Sequence, residues 1–165
     1  MEKEVQDRFK ALPEVREIHL ITGKFDLLVT LESAETELDP RQKVVQVVVD
    51  KVRKPGGIRD TSTIIPIDSH FSSAPPSSRP TARSFIFIQC EPGKERGLMN
   101  KILAIPEVTA THFLFGKSDL LVELEVEKSF ISQPPQRVAA VRDRITKFSE
   151  VKDTQTFVPL ESTVK

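Results

Sequence analysis

A constant offset of 93 residues brings the chain into register with itself. Residues 2–69 laid on 95–162 match without a gap and share 23 identities in 68 positions. LPEV at 12–15 falls on IPEV at 105–108, GKFDLLV at 23–29 on GKSDLLV at 116–122, and DTST at 60–63 on DTQT at 153–156. One offset held through a whole segment marks a duplicated domain. The unit exceeds the roughly 20–45 residues of a solenoid repeat, and two copies do not make an array. A fold for these 165 residues must therefore hold two similar small units.

Five serines and three prolines fall within residues 68–83, between the copies. Such a stretch makes a poor helix or central strand, so it reads as a linker. As a flexible chain it would span about 22 Å, enough to let two units lie side by side at high effective concentration. A Pro-rich recognition motif in PPSSRP at 75–80 is the sharper reading, and a plain linker the simpler one. The expected organisation is a first unit over 1–67, a linker over 68–83 and a second unit over 84–165.

The second copy spells out the whole unit. SFIFIQC at 84–90 alternates and is rich in strand formers. EPGK at 91–94 opens a helix whose apolar face is Leu98, Ile102 and Ile105, ended by Pro106. Strands follow over 108–115 and 120–126, joined by the turn at 116–119. Pro134 and Pro135 precede a helix with Val138, Val141 and Ile145 on one face, and 153–160 is the last strand. The order is βαββαβ, a ferredoxin-like unit in the α+β class.

The first copy reads the same way from its first helix onward. VVQVVV at 44–49 alone would pass for a strand, but its aligned partner at 138–145 is helical, so Val45, Val48, Val49 and Val52 are expected to form one helical stripe. Residues matching 84–90 would precede Met1, so the first unit lacks its first strand. Two explanations stay open: an upstream segment absent from this chain, or a three-stranded sheet whose last strand closes onto the third.

The pattern EPGKE, helix, (I/L)PEV, strand, GKxDLLV, helix, DTxT, strand resembles the effector-binding domain of the leucine-responsive (Lrp/AsnC) regulators. The resemblance covers both copies. It implies a dimeric α+β barrel built from two such units, self-association between units or chains, and a small effector, a free amino acid, bound near the turn. It also implies mixed assembly with full-length Lrp/AsnC-type regulators, or a free-standing sensor. The family's N-terminal helix-turn-helix has no counterpart before residue 12, where a second effector-type unit stands instead.

Gly23 and Gly116 suit turns that need positive φ, and exposed N–H groups there could receive a carboxylate. Asp26 and Asp119 close the same turns, either as turn formers or as partners for an ammonium group. Thr61, Thr63, Thr154 and Thr156 alternate on the last strand of each copy, as strand formers or as hydroxyls facing the effector. These eight residues are the expected ligand set. His19 and His112 recur at equivalent positions, but each stands without a second ligand at metal spacing, so no metal, cofactor or catalytic residue is assigned. No phosphate loop or nucleophile elbow is present in the sequence.

Lys plus Arg number 24 and Asp plus Glu 24, which argues against direct nucleic-acid binding or an anionic membrane surface. No window reaches 18 apolar residues, the start MEKEVQDRFKAL is not signal-like, and Cys90 is the single cysteine, so a cytoplasmic protein is expected. The leading expectation is a non-enzymatic amino-acid-binding and oligomerisation protein. The alternatives are a small cofactor-independent enzyme on the related barrel, or a purely structural module.

Overall fold

A computed structural model describes residues 2–32, 39–75, 79–128 and 133–165. Pro76, Ser77 and Ser78, the centre of the PPSSRP stretch, lie outside the described residues. The chain divides into two compact units, Ile65–Val158 and Met1–Ile64 with Pro159–Lys165. Both are α+β.

The unit over Ile65–Val158 contains the full βαββαβ order. Its elements are β4 (Thr81–Cys90), α3 (Glu95–Leu103), β5 (Val108–Phe113), β6 (Leu120–Glu127), α4 (Pro134–Thr146) and β7 (Val151–Phe157). An extra strand, β3 (Asp68–Phe71), precedes them, and the sheet order is β3-β5-β6-β4-β7. All pairings are antiparallel. The alternation read in the sequence sets the faces. Ile86, Ile88, Leu120, Val122 and Leu124 point to the helices and are fully buried against Leu98, Ile102, Val138 and Ile145. At about 1.5–3 kcal/mol per buried aliphatic side chain, this layer dominates the unit's stability. The helix expected from 91 starts later, at Glu95, because Gly93 takes φ +83° and closes a turn, with Lys94 N–H donating to Glu91 O at 3.1 Å. The second helix begins at Pro134 itself, under a reciprocal cap between Gln133 and Gln136.

The other unit has α1 (Glu2–Lys10), β1 (Val15–Leu20), β2 (Leu27–Leu31), α2 (Pro40–Val47) and β8 (Glu161–Val164). Its sheet order is β2-β1-β8. Val5, Phe9, Val15, Ile18, Val48 and Val52 form its core, flanked by Leu27, Val29 and Leu31. Beyond α2 the helix widens to i→i+5 bonding over Val48–Arg53, where Lys54 N–H reaches Val49 O at 3.2 Å. The expected valine stripe is thereby corrected. Val48 and Val52 are buried, while Val45 and Val49 stay about half exposed, at 50% and 49%. An ion pair recurs with the repeat: Lys51 holds Glu14 and Arg144 holds Glu107, both at an offset of 93. The Lys51 hydrogen bond keeps the Glu14 carboxyl below its ordinary range.

Three expectations are corrected here. First, 68–83 is not all linker: Asp68–Phe71 is β3, and 81–83 begin β4. Each has a strand edge to pair with, and backbone pairing outweighs the Ser/Pro-rich composition of the stretch. Second, the unit boundaries are not 1–67 and 84–165. Each unit includes the short strand that follows the other copy in sequence: β3 pairs with β5, and β8 pairs with β1. Third, residues 60–66 form no strand, so the first copy's last strand does not close onto β2. Among the described residues, their counterpart β7 pairs only with β4, and no counterpart of β4 pairs with β2.

Candidate functional site

The two GKxD turns are built alike. Ile21 N–H donates to Asp26 O at 2.9 Å and Leu114 N–H to Asp119 O at 2.8 Å, so each hairpin is closed by the same bond. Gly23 has φ +123° and Gly116 φ +119°, conformations that a side chain would strain. Asp119 also anchors the central strand. Its N–H donates to Ile88 O, and its Oδ2 accepts from Cys90 N–H, each at 2.9 Å. Burial first, then the negative charges of Asp119 and Glu95, pushes the Cys90 thiol up to about 11. Asp26 is exposed, and among the described residues its carboxylate holds no hydrogen bond. Phe25 lies partly buried with Lys24 Nζ 5.6 Å from its ring centre, whereas the second turn has Ser118 there and a widely exposed Phe115 before it.

The threonines separate by unit. Thr154 and Thr156 stand directly across β4 from Ile88 and Ile86, so they face the helices. Ile88 also pairs with Leu120, which places Thr154 level with the end of the Gly116–Asp119 turn, two strands or about 10 Å away. The Thr156 hydroxyl is buried without a hydrogen bond. Thr61 and Thr63 lie outside any strand and are not brought to the first turn by pairing. The second unit thus gathers Gly116, Asp119 and Thr154 at one end of its sheet, while the first retains only Gly23 and Asp26.

A second constellation escaped the sequence reading. On the sheet face away from the helices, His19 is fully buried, with Nδ1 2.7 Å from Ser162 Oγ and Nε2 2.9 Å from Glu17 Oε2. His112 repeats this, with Nδ1 2.7 Å from Ser69 Oγ and Nε2 2.9 Å from Glu123 Oε2. In the tautomer that donates from Nε2 to the carboxylate, Nδ1 would accept from the serine hydroxyl. Each serine arrives on an exchanged strand, β8 or β3. Ser69 and Ser162 are identical residues at the repeat offset, which was the available signal. Among the described residues no three His, Cys, Asp or Glu side chains converge as a metal set.

No family model matches the chain. Its sequence is similar to an uncharacterised HTH-type transcriptional regulator of Pyrococcus abyssi, 29% identical over 68 residues, which are 41% of this chain and 42% of that protein. A second HTH-type regulator, from Pyrococcus horikoshii, is 30% identical over 64 residues, 39% of each chain. The chain spans about two fifths of the length of these relatives. It therefore carries a regulator-related domain. The fold is similar to that of the siroheme decarboxylase NirDL, with a TM-score of 0.67, 9% identity, and coverage of 99% of this chain and 69% of that one. That likeness speaks for the α+β fold alone.

Proposed function

We propose that the chain is a non-enzymatic effector-binding protein of the Lrp/AsnC type, with tandem effector domains that associate with each other or with full-length regulators. The effector is a free amino acid held at the turn 116–119. The observation that supports this reading is the positive-φ Gly116 and the Asp119 carboxylate in one turn, with Thr154 about 10 Å away at the same sheet end, in a chain related to regulators. Backbone N–H groups of the turn suit the ligand's carboxylate, and the Asp119 oxygen not bonded to Cys90 suits its ammonium. Asp119→Asn is the informative variant. Its amide oxygen still accepts from Cys90 N–H, so the central strand keeps its anchor while the charge is lost. Thermal shift across the twenty amino acids should reveal a stabilising ligand. Calorimetry should then find Asp119→Asn about ten- to a hundredfold weaker, the worth of one charge-assisted hydrogen bond. Equal affinities would reject the site.

One observation favours a second reading, acid–base chemistry. Ser–His–Glu relays at 2.7 and 2.9 Å could polarise a serine hydroxyl. A fluorophosphonate probe tests it: covalent labelling of Ser69 or Ser162 that His112→Gln or His19→Gln abolishes would support an enzyme. An unlabelled chain leaves the relays as strand anchors.

A further inference from the structure

We infer that Lys152 recognises the side chain of the bound effector, and that this effector is an acidic amino acid, aspartate or glutamate. The inference rests on the reading of the turn 116–119 as an amino-acid site, to which Lys152 adds a charge of opposite sign to Asp119.

Lys152 owes its place to an irregularity in β7. Gln89 on β4 stands opposite Asp153 and Cys90 opposite Val151, so Lys152 is the extra residue of a β-bulge. Bulges re-aim a side chain and recur beside functional sites. Alternation along β7 puts Lys152 on the same face as Thr154, which is the face of Ile88 and the helices. Asp119 reaches this sheet end from the other side of β4, where its Oδ2 accepts from Cys90 N–H at 2.9 Å. The two residues flank Cys90, one strand away on each side, with backbones about 10 Å apart. The Cys90 thiol registers both: burial raises it most, Asp119 and Glu95 raise it further, and Lys152 lowers it.

The Lys152 charge is not spent on the fold. The residue is exposed and, among the described residues, forms no ion pair, whereas Lys101 holds Glu150 and Arg144 holds Glu107. The neighbouring acids are engaged elsewhere. Glu95 Oε1 accepts from Gly93 N–H at 3.2 Å, and Asp153 Oδ1 accepts from Thr154 N–H at 2.9 Å. The first copy has Arg59 at the repeat offset, again exposed and outside any ion pair among the described residues. Asp26 and Asp119 recur with this pair of cations. In a duplication that keeps 23 of 68 residues, a recurring charge without an internal partner points to a partner outside the fold.

The ligand class follows from the spacing. An α-amino acid has its ammonium and carboxylate on one carbon, and the short turn supplies partners for both, Asp119 and the backbone N–H groups. Lys152 stands two strands from the turn, too far to share either group. Its flexible stem reaches instead toward the end of the ligand's side chain. A carboxylate there makes a charge-assisted bond, while an amide of the same shape offers only an uncharged acceptor.

Calorimetric titration of the full chain with glutamate, glutamine, aspartate and asparagine tests this. Each acid should bind about tenfold tighter than its amide, the difference made by one charge-assisted bond. Lys152→Met should bring glutamate down to the affinity of glutamine, and Lys152→Arg should keep the preference. Equal binding of acid and amide by the unaltered chain overturns the inference, and so does a preference that survives Lys152→Met. If only apolar or basic amino acids bind, the inference fails and the turn remains an amino-acid site. If none of the twenty binds, both fail.

Discussion

Glu17 and Glu123 reach equivalent histidines from opposite strands. Glu17 on β1 faces Thr30 on β2, and Glu123 on β6 faces Ala110 on β5, so one cross-strand pair carries the carboxylate on either side. The Nε2–Oε2 distance is 2.9 Å in both. What has been kept is the bond to a buried imidazole, not the residue that makes it. Glu17→Ala removes one bond of the buried His19 ring and should therefore destabilise the chain by about 1–3 kcal/mol. Adding Thr30→Glu, which copies the arrangement of β5 and β6, should restore most of the loss. Urea unfolding of the single and double variants checks this; a double variant no more stable than the single would show that His19 does not need the carboxylate. His19 and His112 were legible as a recurring pair because they share the offset. Their acids were not, since the two lie at no common offset, and Ser69 sat inside a stretch that read as linker.

Elements were legible wherever a pattern and a partner coincide. Alternation in 84–90 and 120–126 and the apolar faces of α3 and α4 gave the larger unit almost entire. The failures share one cause. Residues 60–63 repeat the DTxT of β7 yet form no strand, because strand propensity needs a neighbour to pair with. β8 is the converse: Glu161–Val164 has little apolar pattern and is mostly exposed, but β1 offers an edge and His19 a bond for Ser162. Deleting 161–165 removes almost no buried apolar surface. It should nonetheless speed hydrogen exchange at the amides of Val15–Leu20 by at least tenfold while leaving β4 and β6 unchanged. Uniform faster exchange in both units, or none, would contradict the assignment of β8 to the smaller unit.

At the scale of the whole chain, the offset of 93 residues was legible in the sequence. The exchange of β3 and β8 was not legible, because a four-residue strand carries too little periodicity to stand out from a Ser/Pro-rich background. That exchange has a consequence in time. Residues 1–64 leave the ribosome first, yet the strand beside β1 is made after all of 65–158. At roughly 5–20 residues per second, the earlier-made unit waits about 5–20 s for its last strand. During that interval the edge of β1 is bare and His19 is without its serine. A chaperone or protease meeting the nascent chain would find that half first, so its survival depends on the speed of translation as well as on the stability of the finished fold.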